Sequence, residues 1–325
     1  MVFGKEELSN KEKSVVTIAA VNFHSLWGRK KENLERIKGY VEAAAKRGAN
    51  IILFPEMALT GYDDESSKPT YEQMQYRDSE FYDGPSIREV AEVTKKYGVY
   101  AVVGYPERDY EDDRRLFNAA FVTGPDGIVG SYRKIHVCVY EVLWAKKGRE
   151  PLCFDTPWGK IGVSICGDTY NYHELTRYYA SLGARIVLNP TAVLATDVWD
   201  YQSYYVTGLE SSVIESGIYM VSSNFTGPEV VSDGGGCSNI IGPALHEQKK
   251  WYAGKMGNFE ENIYMETVDL SIANRAIFKV NPLNKTPDYR SDVYRKLCLA
   301  TVERDELYRD RRLENNLVEK EEGET

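Results

Sequence analysis

Three consecutive stretches decide the fold: VVTIAAVNF (15–23), KENLERIKGYVEAAAKRG (31–48) and IILFPEM (51–57). The first and third are short, β-branched and apolar, as expected of strands buried on both faces. The middle one carries Leu34, Ile37, Val41 and Ala44 or Ala45 at the spacing of one helical face, with Gly48 as its stop. A strand, a helix and a strand in this order form a βαβ unit with parallel strands.

Outward from that unit the alternation continues. A helix over about 85–97, ending near Gly98, feeds the strand VYAVVGY (99–105). Two hairpins follow. NAAFVTG and IVGSYRK flank a Pro-Asp-Gly turn, and LCFDT and KIGVSIC flank Pro-Trp-Gly. Helices over about 173–182 and 200–216 lead into the strands RIVLNP and IYMVSSNF, and CSNIIGP and NIYMETVDL supply two more, joined through KKWYAGK. The pattern predicts one α/β domain with two packed sheets and helices outside. Its expected bounds are 14–280, between an N-terminal extension (1–13) and a polar C-terminal extension (281–325) whose end, NNLVEKEEGET, is expected to be disordered.

Bulk properties narrow the function. The N-terminus MVFGKEELSNKEK is too charged for a signal peptide, and no apolar run is long enough to span a bilayer. A cytoplasmic protein with reduced thiols is therefore expected from the five cysteines, none in a metal-binding spacing. The net charge of −9 argues against nucleic acid or an anionic membrane as partner and leaves a small molecule.

Three reactive side chains stand at the ends of strand-like runs. Cys166 closes KIGVSIC, where the carboxyl end of an α/β strand exposes ligand sites and the following backbone N–H groups favour a thiolate. The plain alternative is a packed apolar thiol, since cysteine is among the most buried residue types. Glu56 ends IILFPE, where a carboxylate either reaches solvent or has a partner. Lys134 closes IVGSYRK, where a solvated lysine is the ordinary outcome. A thiolate, an ammonium and a carboxylate are complementary parts for acyl transfer, but their spacing does not bring them together. A Cys–His dyad with His173 is a weaker alternative. The acidic run Asp63, Asp64, Glu65 reads as a solvated loop, and Cys138, Cys153, Cys237 and Cys298 as structural.

IILFPEMALTGY, GSYRKIH and VSICGD, in this order and widely separated, resemble the three signature blocks of the nitrilase superfamily of carbon–nitrogen hydrolases. LFNAAFVTGPDGIVG, RIVLNPTA, IYMVSSN and GGGCSNIIGP add to the resemblance, which covers about residues 15–270. It implies a four-layer αββα sandwich of two mixed sheets, with Cys166 as nucleophile, Glu56 as general base and Lys134 as the oxyanion-stabilising cation. It further implies Glu141 as a supporting carboxylate and the Gly167 N–H as an oxyanion donor. Tyr62, Tyr140, Trp144 and Thr191 are candidate pocket residues. No metal or organic cofactor is expected. The expected reaction is hydrolysis of a small carboxamide through a thioester, with an N-carbamoyl amine or a nitrile as alternative substrates. A homodimer or larger homo-oligomer is expected. A redox sensor built on Cys166 is the reading from a different class. The sequence departs from the family at Gly167, where a larger residue, commonly tyrosine, is usual, and at Glu215-Ser216 in place of Glu-Asn.

Overall fold

The computed structural model describes residues 12–63, 65, 68–138, 141–243, 251–253 and 260–304. It divides into two units, Met1–Ala276 and Ile277–Thr325.

The first unit opens with β1 (Val15–Asn22), α1 (Lys30–Lys46) and β2 (Ile51–Leu53). Gly48 lies just past the helix at φ +96°, a conformation that suits a residue with no Cβ. After the short α2 (Met74–Asp78), α3 (Pro85–Tyr97) starts on a proline and ends at Gly98 in the left-handed region. It leads to β3 (Tyr100–Arg108), and the hairpin β4 (Leu116–Gly124) and β5 (Gly127–Arg133) turns at Pro125-Asp126. The last strand of the unit, β14 (Asn262–Asp269), returns antiparallel to β1. The resulting sheet runs β14-β1-β2-β3-β4-β5, with β1, β2 and β3 parallel.

The second sheet repeats this plan. The hairpin β6 (Leu152–Thr156) and β7 (Gly159–Val163) is followed by α4 (Gly167–Tyr170), α5 (His173–Ser181), β8 (Ile186–Thr191), α6 (Ala195–Ser216) and β9 (Tyr219–Asn224). A small hairpin, β10 (Thr226–Pro228) with β11 (Asp233–Gly235), precedes β12 (Asn239–Gly242) and β13 (Trp251–Ala253). The order is β13-β12-β9-β8-β7-β6, with β7, β8 and β9 parallel.

Period-two alternation stacks these layers. Val16, Ile18 and Ala20 of β1 point into a core shared with Ile161, Val163, Ile186, Leu188 and Val221 of the other sheet. Ala19 and Val21, on the opposite face, pack with Leu34, Ile37 and Val41 of α1 and Ile87 and Val90 of α3. Two mixed sheets face to face with helices outside are the expected αββα sandwich.

Several local details differ from the sequence reading. β2 stops at Leu53 because Pro55 has no N–H to continue the ladder. β7 stops at Val163, three residues before Cys166, although Ser164 N and Cys166 N still donate to Leu188 O and Pro190 O. α6 begins at Ala195, about a turn earlier than expected, and β13 adds a strand inside the segment read as a connection. In the second unit, α7 (Ser291–Arg304) forms a helix within the segment expected only to be polar. The segment NNLVEKEEGET lies outside the described residues.

Candidate active site

The two sheets meet at the ends of their parallel strands, and the signature residues converge there. After β2 the chain lies directly on β3: Gly104 N donates to Pro55 O and Leu59 N to Gly104 O. A Cβ on Gly104 would fall 2.3 Å from Met57 N, so only glycine permits this approach. Glu56 N reaches across to Thr191 O at the end of β8, 3.3 Å away. Lys134 follows β5, with its N–H on Asn118 O of β4.

The side chains form a buried ionic cluster. Lys134 Nζ donates to Glu56 Oε1 and Glu141 Oε1, each at 2.7 Å, and Lys134 is fully buried. Asn118 Nδ2 spans the same two oxygens at 2.7 and 3.1 Å. Glu141 also accepts from Tyr62 OH at 3.1 Å and from Cys138 N at 2.9 Å. Glu56 Oε2 is buried without a hydrogen-bond partner.

These surroundings separate the two carboxyls. Burial pushes Glu56 well above the usual carboxylate range; negative charge on Cys166 adds to this and Lys134 opposes it. Burial would raise Glu141 too, but Lys134 and the donors from Cys138 and Tyr62 outweigh it and hold Glu141 below its ordinary value. For Lys134, burial is overcome by the charges of Glu141 and Glu56, so the ammonium is retained. Lys134 and Glu141 therefore stand as a persistent ion pair, with Glu56 as the carboxyl able to hold a proton.

Cys166 is 4 % exposed, with φ +52° between β7 and α4. Contact with the Cys138 thiol and burial push its thiol up, while Lys134 pulls it down. Gly167 is the first residue of α4, where an N–H has no partner within the helix. A Cβ at Gly167 would lie 3.0 Å from Asn171 Nδ2, and the phenol of Tyr170 lies against the sulfur, its oxygen 2.9 Å from Sγ.

Of the candidate pocket residues, Tyr62 reaches the cluster through Glu141 and leans on Phe225. Trp144 packs with Met57, Leu116 and Ala145 at the foot of the Glu56 segment. Thr191, fully buried, adjoins the Cys166 thiol and favours its charged form. Tyr140 lies outside the described residues.

Other readings change. Cys138, taken as structural, places its sulfur 3.7 Å from Lys134 Nζ and in contact with Cys166. Asp63, taken as part of a solvated loop, is buried, and its Oδ2 accepts from the N–H groups of Val230, Val231 and Ser232. Reciprocally, the Glu229 carboxylate accepts from Tyr62 N and Asp63 N. Glu65 accepts from Met74 N, and Asp64 lies outside the described residues. His173 pairs with Glu215 at 3.4 Å, and Arg177 shares that carboxylate.

The sequence reading missed Asn118 and Asp168. Asp168, fully buried, takes hydrogen bonds from Tyr132 OH (2.6 Å), Ile135 N (3.0 Å), His136 N (2.8 Å) and His136 Nδ1 (2.7 Å). It ties the Lys134 segment to the turn after Cys166. The available signals were an asparagine inside a buried strand and an aspartate beside the cysteine.

Known proteins place this arrangement in context. The carbon–nitrogen hydrolase family profile matches residues 17–276. A probable nitrilase of Schizosaccharomyces pombe is 30 % identical over 82 % of this chain and 93 % of its own. The Mus musculus omega-amidase NIT2 is 33 % identical over 50 % of this chain and 59 % of its own. Among solved structures, a cysteine mutant of an amidase from Nesterenkonia AN1, of the nitrilase superfamily, matches with a TM-score of 0.69. At 20 % identity, covering 89 % of this chain and all of that one, it attests the fold. Another structure of that amidase carries the acetamide moiety of fluoroacetamide covalently on its active-site cysteine. No helix among the described residues is long and apolar enough to cross a membrane.

Proposed function

The chain belongs to the carbon–nitrogen hydrolase family, and from that premise we propose that it hydrolyses a small carboxamide to carboxylate and ammonia through a Cys166 thioester. The observation that carries this reading is Lys134 held between Glu56 and Glu141 beside Cys166, with Glu56 Oε2 unpartnered. Lys134 and Glu141 cancel one another's charge. What remains is one proton that Glu56 and Cys166, both pushed upward, compete for. Passing it to Glu56 leaves a thiolate, which attacks the carbonyl carbon.

The developing oxyanion is met by the Lys134 ammonium and the Gly167 N–H. Glu56 returns its proton to the departing nitrogen, and ammonia leaves. It then takes a proton from water, the hydroxide attacks the thioester, and the proton goes back to sulfur as the acid is released. Glu141 keeps Lys134 charged and placed. Tyr62, Trp144 and Thr191 line the substrate pocket, and Tyr140, next to Glu141 in the sequence, remains a candidate by resemblance alone. The enzyme works in the cytoplasm, as a homodimer or larger homo-oligomer, on a small molecule and without a cofactor.

The omega-amidase relatives and the amidase fold neighbour favour a carboxamide substrate. The second reading is a nitrile, favoured by the names of the relatives that match over most of this chain. A panel of amides, N-carbamoyl amines and nitriles, assayed for ammonia, carbon dioxide and acid, separates them. Ammonia with an equimolar acid from an amide supports the amidase. Carbon dioxide with an amine assigns a carbamoylase, and consumption of nitriles alone assigns a nitrilase. No turnover, together with peroxide-reversible oxidation of Cys166, assigns a thiol sensor and defeats the hydrolytic reading.

A further inference from the structure

Tyr170 sits one helical turn after Cys166, and its place is built from three sides. Its ring meets Tyr205 of α6 edge to face, with centroids 5.3 Å apart and planes at 86°. Tyr205 is itself fixed, its hydroxyl 2.5 Å from Ser222 Oγ. Ser222 Oγ donates to Asn189 Oδ1 at 3.0 Å, and Asn189 Nδ2 donates back to Cys166 O at 3.2 Å. On α6, a Cβ at Gly208 would fall 2.7 Å from Tyr170 Cβ, so the helix seats directly on this residue. The phenol oxygen ends 2.9 Å from Cys166 Sγ.

We propose that Tyr170 is a catalytic residue, its phenol O–H donating a hydrogen bond to Cys166 Sγ and stabilising the thiolate. The assignment rests on the reading of Cys166 as nucleophile. A thiolate has no proton, so in the attacking state the bond can run only from oxygen to sulfur. Burial, and then the charge on Cys166, keep the phenol protonated and able to donate. The bond acts twice. It favours the thiolate before attack, and it is released when sulfur becomes a thioester and a weak acceptor. It forms again as the carbon–sulfur bond breaks and the thiolate departs in the hydrolytic half-reaction.

The test follows the rate of alkylation of Cys166 by iodoacetamide against pH in the full chain, with the modified peptide identified by mass so that Cys138 is scored separately. Tyr170→Phe keeps the ring and removes the hydroxyl. Tyr178→Phe, which loses an exposed hydroxyl on α5, is the control. Cys138, Lys134, Glu56, Glu141, Tyr62 and Thr191, the other groups around the thiol, are unchanged in both. The expected result is an alkylation midpoint higher by about one pH unit in Tyr170→Phe only, with amide turnover about ten-fold lower. Coincident midpoints in folded wild type and Tyr170→Phe overturn the assignment while leaving the hydrolase reading intact. A shifted midpoint in a protein that hydrolyses nothing in the panel supports the hydrogen bond and removes the hydrolase reading instead.

Discussion

Replacing Glu141 by glutamine tests the division of labour between the two carboxyls. Both accept from one ammonium at 2.7 Å, so their Oε1 atoms are at most about 5.4 Å apart. At an effective dielectric of about 20, two like charges at that separation repel by about 3 kcal/mol, and by more where they lie closer. Glu141 is one of the charges that raise Glu56. Removing it lowers the pH at which Glu56 loses its proton, and takes away one of the two carboxylates that face Lys134. A carboxyl with a lower pKa is a weaker base toward the thiol, so less of the enzyme carries the proton on Glu56 with a thiolate on Cys166. The assay is the pH dependence of kcat/KM on an amide from the panel, with thermal melting to confirm folding. The expected outcome is an acid limb displaced to lower pH and a maximum at least ten-fold lower. An unmoved acid limb in a folded variant would refute the reasoning.

Three further outcomes follow from the same contacts. Asn118→Ala removes the donor shared by Glu56 and Glu141; a fall in kcat of about ten-fold or more, with KM little changed, is expected in steady-state kinetics. His173→Ala leaves turnover at the wild-type level in the same assay, because its partner is Glu215; a thousand-fold loss would restore the dyad. Glu229 is pushed up to about 7, chiefly by burial, from an ordinary value of 4.5. A folded-state value above the unfolded one means that its stabilising contribution is complete below about 4.5 and is lost as pH rises through about 7. Glu229→Gln therefore gains stability relative to wild type between pH 5 and 8, by about 2 kcal/mol once partial exposure is discounted, as read from denaturant midpoints.

The frame of this fold was legible because its evidence is local. β1, α1 and β2 announce themselves by period and by a glycine stop, and α3 by Pro85 and Gly98. β10, β11 and β13, at three residues each, are too short to carry a pattern, and their pairing is set by neighbouring strands. Pro55 was visible in the sequence, yet its effect of ending β2 before Glu56 depends on which N–H groups the ladder needed. The site divides in the same way. Glu56, Lys134 and Cys166 were named through resemblance, whereas their meeting depends on the contact between β8 and the segment after β2. Asp63 misled because its burial comes from Val230, Val231 and Ser232, far along the chain. Tyr170 was hidden for a related reason: four residues from Cys166, it is aimed at sulfur by packing from α6.

The most direct test is intact-mass analysis of the protein quenched during turnover of a panel amide. The account predicts a mass increase equal to the acyl group, mapped to Cys166 by peptide sequencing, absent in Cys166→Ala and unstable to hydroxylamine. Steady hydrolysis by Cys166→Ala, or an acyl group found on Cys138 with Cys166 unmodified, would contradict it.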